Sequence, residues 1–276
     1  MSASKRSNIV VEHLRRVQMQ ELLAEGKRLD GRGLTETRPL KIETNVIEKA
    51  NGSARVTLGD TEVVAGVKIS AEKPYEDMPE KGTLICSAEV LPLASAYSEP
   101  GPPDEDAIEL ARVVDRGIRE SEMIDMSKLM LVKGKIVYAV FVDSSILNIG
   151  GNLFDATSYA AVSALLTARL PKLNVEDGEV VDTGETVPIP IQTIPVSVTM
   201  AKIGDTIIAD PSWEEEAVMN GRVTMTTDAK GNVCAVQKGG TGAFLTEQIH
   251  NIVDTTIAKG EEIRPMLKRV AENGSV

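Results

Sequence analysis

The chain has 276 residues, a formal net charge of −11, 42% apolar residues and 3% aromatic residues. That length and apolar content can form a sizeable core. The acidic charge and the shortage of aromatic rings argue against a protein that coats nucleic acid with its whole surface. No segment approaches the roughly 20 apolar residues that cross a bilayer, and the charged N-terminus lacks the apolar core of a signal peptide. We therefore expect a cytoplasmic protein with no membrane partner.

The spacing of apolar residues predicts short strands and a few helices, which indicates an α+β fold with mixed sheets packed on helices. A helix is predicted at about residues 9–26, and short strands follow it. The next helix is predicted from Asp104 to about Glu122, because Asp104 is a good N-cap and acidic residues occupy the first turn. We treat the whole chain, residues 1–276, as a single domain.

Further along, a strand predicted at Lys135–Leu147 ends at Gly150-Gly151, before a helix predicted at Asp155–Leu170. Small and apolar residues cover nearly all sides of that helix, so we expect it to lie between two layers. The acidic segment Glu176–Glu185 is predicted as a loop. A long helix is predicted at about residues 246–273, kinked or split by its internal proline.

Arg112, Arg116 and Arg119 are the candidate binding residues of the helix that begins at Asp104. At 100° per residue, their spacing places them on one stripe, opposite apolar residues such as Leu110 and Val114. Three guanidinium groups in a row suit a phosphodiester backbone, because each can donate two parallel hydrogen bonds to phosphate oxygens.

A solvated helix face is the alternative interpretation of this arginine stripe. Asp115 precedes Arg119 by four residues and Glu109 precedes Arg112 by three, so ion pairs within the helix could neutralise the stripe. Taken alone, the charge pattern favours this alternative, since charged stripes on helices usually face solvent.

The segment Gly150–Asp155 joins a strand to a helix, which is the geometry of an anion site. It offers no cation, since no lysine or arginine lies between Asp143 and Ala168. A carboxylate at Asp155, in the first turn of the helix, would satisfy the free N–H groups and repel phosphate. A glycine turn followed by an Asp155 N-cap is therefore the favoured interpretation.

Two other segments carry weaker signals. Taken alone, the run Glu214–Glu216 is typical of a solvated surface. The segment Lys238–Gly242 superficially resembles a phosphate-binding loop but lacks the Gly-Lys-Ser/Thr ending, so a flexible turn is predicted. The two histidines and two cysteines do not cluster in the sequence. We therefore predict no metal site and no cofactor.

Several motifs resemble the RNase PH family of phosphate-dependent 3′→5′ exoribonucleases. The elements RLDGR and LGDT mark the wider family, and the blocks EPGPPDE and IELARVVDRGIR are similar to its non-catalytic branch, the inactive ring subunits of the archaeal exosome. The resemblance spans about Leu22 to Thr246. It is carried by Arg28–Arg32, Asn51–Ala54, Leu58–Thr61, Lys73–Asp77, Glu99–Glu105, Ile108–Arg119 and Ile208–Thr226.

The resemblance implies that the active site has been lost. Catalytic members carry two aspartates six residues apart, where this chain has Glu216 and Arg222. Paired carboxylates there would organise a hydrated metal ion or handle the leaving-group proton, whereas Glu216 and Arg222 are expected to form an ion pair. Catalytic members also carry Gly-Gly-Thr-Arg near Gly150–Asp155, and that arginine helps to hold the attacking phosphate.

The resemblance further implies the RNase PH fold in a pseudo-hexameric ring, with three copies of this chain alternating with three copies of a catalytic RNase PH-type partner. Single-stranded RNA would thread the central channel, and S1/KH-type cap subunits would cover one face. The chain would structure the partner's active site and help to bind RNA through Arg112 and Arg116, to which helical geometry adds Arg119. We therefore predict a non-catalytic exosome component without catalytic residues. The alternative is an active phosphorolytic 3′→5′ exoribonuclease.

Overall fold

The structure is a computed structural model that describes residues 15–95, 101–176 and 179–273. Within those ranges, no helix is both long enough and apolar enough to cross a membrane. The first described helix, α1, covers residues 15–24, which agrees with the predicted N-terminal helix. Residues 9–14 of that prediction lie outside the described residues.

The larger sheet comes from the first half of the chain. Its strands lie in the order β1-β2-β3-β6-β4, with β5 beside β6. Only the pairing of β4 with β6 is parallel among the strand pairs described in this sheet, and β4 forms one edge. The strands are β1 Leu40–Thr44, β2 Gly52–Leu58, β3 Thr61–Glu72, β4 Thr83–Val90, β5 Met130–Val132 and β6 Ile136–Asn148.

The second half of the chain forms a hairpin and a smaller sheet. The hairpin pairs β7 with β8, and the four-stranded antiparallel sheet has the order β10-β9-β11-β12. The strand β12 therefore forms an edge of this sheet. The strands are β7 Arg169–Glu176, β8 Glu179–Pro188, β9 Val196–Ile203, β10 Thr206–Ala209, β11 Gly221–Thr227 and β12 Val233–Gly240.

Helix α3 lies between the two sheets, as its apolar composition predicts. It contacts β2 and β3 of the larger sheet and β9 of the smaller one. Gly52 permits this close packing, because a Cβ there would lie 2.4 Å from the carbonyl oxygen of Ala164. Helix α5 continues through Pro265, so the proline does not split it. The helices after α1 are α2 Glu105–Glu120, the 3₁₀ turn Met126–Leu129, α3 Leu153–Thr167, α4 Trp213–Val218 and α5 Thr246–Asn273.

Two predictions about the end of α3 and the segment that follows it are wrong. Within the acidic segment Glu176–Glu185, the described residues 176 and 179–185 belong to the strands of the β7–β8 hairpin and not to a loop, and Asn174 pairs there with Val181. The segment's two valines and its threonine favour an extended backbone despite the neighbouring charges. Helix α3 ends at Thr167 and not at Leu170, since the residue before a proline disfavours helical backbone.

A buried carboxylate, Asp210, joins the N-terminal segment to the smaller sheet. Arg38 donates to it through the backbone N (2.7 Å), Nε (2.9 Å) and Nη2 (2.7 Å). Arg32 donates through Nη1 at 3.0 Å, and Asn152 through Nδ2 at 2.8 Å. Burial alone would raise the pKa of Asp210, but the hydrogen bonds and charge of Arg38 outweigh burial and lower it. Asp210 is therefore a charged group inside the protein.

The neighbouring pair Arg28–Glu215 extends this network. The buried Arg28 donates through Nε to Glu215 at 2.8 Å, and also to the backbone carbonyls of Ala209 (2.8 Å) and Asp210 (2.9 Å). Glu215 in turn forms a capping box with Ser212 at the start of α4. The arginines of the RLDGR turn therefore hold the connection between β10 and α4 in place.

Asp210→Ala should lower the free energy of unfolding by about 3–5 kcal/mol, because Arg38 and Arg32 would remain as buried charges without their partner. Urea unfolding followed by circular dichroism measures the change. Asp205→Ala is the matched control, since Asp205 is exposed in the β9–β10 turn. The control should change the free energy by less than about 0.5 kcal/mol. Equal effects of the two variants would contradict the structural role of Asp210.

Candidate nucleic-acid interface

The three candidate arginines of α2 lie together on its exposed face. Arg112, Arg116 and Arg119 are all exposed. The opposite face packs against β4, β12 and α3, and it buries Leu110, Val113, Val114, Gly117 and Ile118. The structure therefore has the predicted division between an arginine face and an apolar face, while the role of the arginines in binding RNA stays a prediction.

A groove of about 330 Å³, which we name the α2–β4 groove, runs between this arginine face and the edge strand β4. The three arginines line one side, and Leu84, Ile85 and Cys86 line the other. Ile85 is 38% exposed, so an apolar surface lies beside the guanidinium groups. Burial raises the pKa of the Cys86 thiol, which keeps that thiol neutral. The helix side also carries two carboxylates, Asp115 and Glu120, so the three arginines give that side a small excess of positive charge.

The three arginines differ in how far the protein already neutralises them. Arg119 donates to both carboxylate oxygens of Asp115, at 2.7 and 3.0 Å, and to the carbonyl of Leu84 at 2.9 Å. Arg116 makes a long hydrogen bond of 3.4 Å to Gln237. Among the residues that the structure describes, Arg112 has no hydrogen-bond or ion-pair partner. Arg112 and Arg116 thus keep most of their donors available to a ligand.

The loop between β6 and α3 turns sharply at Gly151 and Asn152, whose φ angles are +97° and +47°. Asn152, and not Asp155, is the N-cap of α3, since its side-chain oxygen accepts from the Asp155 N–H at 3.4 Å. Asparagine suits this position because it tolerates left-handed backbone and caps helices well. The predicted Asp155 N-cap is therefore wrong.

The carboxylate of Asp155 is buried below the loop. It accepts hydrogen bonds from Asn152 Nδ2 (2.8 Å), Thr199 N (3.0 Å) and Thr199 Oγ1 (2.8 Å). Burial raises the pKa of Asp155 to about 7 despite these hydrogen bonds. Asp155 is consequently part of the core. The prediction that its carboxylate repels an anion from the first turn of the helix is therefore wrong.

A side chain of the protein already accepts the hydrogen bond that this loop could donate to an anion. The Asn152 N–H donates to Glu216 Oε1 at 2.9 Å. Arg38 approaches the loop from inside and donates to the carbonyls of Gly150 (2.7 Å) and Gly151 (3.1 Å). A carboxylate of the chain therefore stands at the helix N-terminus, where a bound phosphate would need the same N–H group.

The predicted ion pair between Glu216 and Arg222 is wrong. Arg222 Nη2 instead donates to Glu109 Oε2 at 2.8 Å, and its guanidinium lies 4.3 Å from the ring centroid of Phe154. Glu216 is half-buried, and burial raises its pKa to about 7 while the charge of Arg222 acts only from a distance. The two residues lie on α4 and β11, so their spacing in sequence does not bring their side chains together.

A cavity of about 300 Å³ marks the place where the carboxylate pair of a catalytic member would be expected. Its polar lining includes one cation, Arg222, and four carboxylates at Asp104, Asp106, Glu109 and Glu216. No group of residues in the described part of the chain has the arrangement of a metal site. The excess of negative charge makes this cavity a poor site for inorganic phosphate.

Comparison with known proteins identifies the class to which this fold and cavity belong. Residues 36–171 match the model for domain 1 of the 3′ exoribonuclease family, RNase PH, and residues 193–259 match the model for its domain 2. The chain therefore belongs to the RNase PH family, as the motifs predict.

More specific similarity is to proteins named exosome complex component Rrp42. The chain is 50% identical to the one from Thermococcus kodakarensis over 92% of its own length and 94% of that protein. It is also 50% identical to the one from Pyrococcus abyssi, over 96% and 97% of the two chains.

Solved structures agree with this similarity. A chain of an Archaeoglobus fulgidus exosome with RNA bound to the active site matches with a TM-score of 0.85 and 44% identity, covering 93% of this chain and 98% of that one. A chain of an archaeal exosome core matches with a TM-score of 0.83 and 41% identity, covering 94% and 98% of the two chains. The predicted RNase PH-like α+β fold is confirmed.

Glu216→Gln should flatten the pH dependence of stability between about pH 5 and pH 8. The folded-state pKa of Glu216 is raised from 4.5 to about 7, so the folded state binds this proton more tightly than the unfolded state, and stability falls as the pH rises through this range. The fall is at most about 1.4 kcal/mol per pH unit for one group. Burial also raises the pKa of Asp155, and the contribution of Asp155 to the pH dependence of stability should remain in the variant.

Urea unfolding at several pH values across that range measures the slope. Glu214→Gln is the matched control, because Glu214 is an exposed neighbour on the same helix. The control should keep the slope of the unmodified chain. A Glu216→Gln slope equal to that of the control would show that Glu216 keeps its ordinary acidity.

Proposed function

We propose that this chain is a non-catalytic ring subunit of an archaeal exosome, acting in the cytoplasm as a single RNase PH-like domain. Three copies alternate with three copies of a catalytic RNase PH-type partner, and S1/KH-type cap subunits cover one face of the ring. The chain structures the partner's active site and helps to hold single-stranded RNA for 3′→5′ degradation. The similarity to Rrp42 proteins and to chains of archaeal exosomes supports this assignment.

One observation supports the absence of catalysis in this proposal. A carboxylate of the chain occupies the position at the start of α3 where an anion would bind. The Glu216 carboxylate accepts the Asn152 N–H at the start of α3, and Arg222 is bound to Glu109 and stacked on Phe154. Holding the attacking phosphate is a large part of lowering the barrier to phosphorolysis. A site that neither binds phosphate nor pairs two carboxylates has no means of activating the reaction.

The alternative, an active phosphorolytic exoribonuclease, requires a basic residue that reaches the Gly150–Gly151 loop from elsewhere in the chain. Arg38 does reach it, but its guanidinium is buried and already donates to Asp210 and to the loop carbonyls. A guanidinium that faces carbonyl oxygens and a carboxylate has no donors directed at a phosphate. Arg38 therefore supports the structure of the loop, and the non-catalytic assignment is favoured.

We further propose that the α2–β4 groove is the part of this chain that binds RNA. Arg112 and Arg116 supply the phosphate contacts, because the protein neutralises them least. Arg119 is expected to contribute less, since Asp115 already accepts two of its hydrogen bonds. The exposed Ile85 on the opposite side of the groove suits the apolar parts of an unpaired strand.

The isolated chain should release no nucleoside diphosphates from RNA in phosphate buffer, with or without Mg²⁺, whereas the ring formed with the catalytic partner should. Arg222→Asp should not create activity in the isolated chain. It restores a carboxylate six residues after Glu216 in sequence but leaves the Asn152 N–H occupied and no cation for phosphate. Thin-layer chromatography of labelled RNA measures the release. Phosphorolysis by the pure chain that survives Glu216→Ala would refute the proposal.

Arg112→Glu combined with Arg116→Glu should weaken RNA decay by the ring without preventing its assembly, because both side chains lie on the exposed face of α2. Each phosphate contact that is lost should lower the slope of log affinity against log salt by about 0.7. Filter binding across a salt series measures the slope, and size-exclusion chromatography checks assembly. Arg55→Glu with Arg169→Glu reverses two exposed charges outside the groove as the matched control. Equal salt slopes for this double variant and the control would show that the arginine stripe is only a solvated helix face.

A further inference from the structure

The guanidinium of Arg222 is fixed between two neighbours. Its Cζ atom lies 4.3 Å from the centroid of the Phe154 ring. The guanidinium also lies beside Gly239, the cross-strand partner of Arg222 on β12. A Cβ at Gly239 would lie 2.7 Å from Arg222 Cζ, so only a glycine leaves this space open. The glycines that follow Lys238 therefore make room for a side chain and do not form a phosphate loop.

The fixed guanidinium holds one carboxylate, that of Glu109 on α2. Glu109 Oε2 accepts from Arg222 Nη2 at 2.8 Å, and Glu109 Oε1 accepts from Gln237 Nε2 at 2.9 Å. Both oxygens of Glu109 are thus engaged on the side of the helix that faces β11 and β12. The Arg222–Glu109 pair is largely sheltered from solvent, with side chains 15% and 31% exposed.

Without Arg222, the Glu109 carboxylate would be free to pair with Arg112, a candidate RNA-binding residue on the same helix. Arg112 follows Glu109 by three residues, a spacing at which a carboxylate and a guanidinium meet on a helix surface. A pair of that kind already exists on the same helix, where Asp115 neutralises Arg119. Capture of Glu109 by Arg222 therefore explains why Arg112 has no partner among the described residues.

The same group of side chains extends to the second arginine of the stripe. Gln237 donates to Glu109 through Nε2, which turns its Oε1 towards Arg116, and Arg116 Nη1 donates to that oxygen at 3.4 Å. A continuous series of hydrogen bonds therefore runs from Arg222 through Glu109 and Gln237 to Arg116. The series connects the cavity to the α2–β4 groove.

From these contacts we infer that Arg222 is a positioning residue for RNA binding. It holds Glu109 away from Arg112 and, through Gln237, orients Arg116, so that both arginines present free donors to the phosphates of single-stranded RNA. The inference rests on the proposed function, since it concerns the same groove. Arg222, which stands where catalytic members carry an aspartate, would thus contribute to RNA binding.

Arg222→Met tests the inference in the ring assembled with the catalytic partner, in phosphate-free buffer, with labelled single-stranded RNA. Methionine keeps an apolar contact with Phe154 and removes the charge. We expect about tenfold weaker binding, the size of one charge-assisted contact, and a salt slope lower by about 0.7. Adding Glu109→Gln should restore both values, because no carboxylate then remains to capture Arg112. Arg222→Lys should bind nearly as well as the unmodified ring.

Arg55→Met is the matched control, since it removes one exposed arginine from an ion pair on β2, far along the sheet from the groove. Binding by Arg222→Met equal to that of this control would overturn the inference. So would a loss that Glu109→Gln does not restore, because a purely structural defect has no reason to be rescued by a second substitution. If Arg222→Met prevents assembly, Gln237→Ala takes its place. It should give a smaller loss, because it frees Arg116 alone, and Glu109→Gln should not restore that loss, since Arg222 still holds Glu109. No loss in Gln237→Ala would overturn the inference.

Arg112→Gln with Arg116→Gln, measured in parallel, separates the inference from the proposed function. If this pair weakens binding and Arg222→Met does not, the positioning role fails while the RNA-binding groove stands. If the pair leaves binding unchanged, the groove is not an RNA site and both fail together.

Discussion

The buried carboxylate of Asp210 is the point at which three separate stretches of the chain meet. Arg32 and Arg38 reach it from the N-terminal segment, and Asn152 reaches it from the loop before α3. A charge inside a protein is stable only when hydrogen bonds of good geometry replace the water it has lost. Asp210 fulfils that condition with donors from its partners, so the positions of the loop, the RLDGR turn and the start of α4 depend on one another.

The same network accounts for the fixed position of the loop before α3. Arg38 donates to the carbonyls of Gly150 and Gly151 and so stabilises the sharp turn of the loop. The Asn152 N–H of the same loop donates to Glu216, while Arg222 pairs with Glu109. Different side chains therefore stabilise the turn and occupy its N–H group.

Sequence patterns predicted the features that depend on local periodicity. Helix α2 with its arginine face, the buried helix α3 and the long helix α5 follow from spacings of three and four residues, and the capping Asp104 is visible as a motif. Family motifs identified the fold. These signals succeed because each is contained within a few consecutive turns of the chain.

Local sequence patterns could not predict the contacts of the site, because the contacting residues lie far apart in sequence. Arg38 and Asp210 are 172 residues apart in sequence, and Glu109 and Arg222 are 113 apart. The expected Glu216–Arg222 pair failed because the packing of Phe154 and Gly239, and not sequence spacing, decides where that guanidinium lies. The Asp155 cap failed because Asn152 accepts left-handed backbone one position after Gly151. The first error arose from tertiary packing, and the second arose because a better local cap, Asn152, was overlooked.

The way in which Arg222 is seated also bears on how such a subunit can change over time. A carboxylate at position 222 would face Glu109 and leave two like charges in a poorly hydrated cavity, while any side chain at Gly239 would push the guanidinium off Phe154. A substitution at any one of positions 109, 222 and 239 therefore disturbs the contacts of the other two, so we expect the three positions to change together.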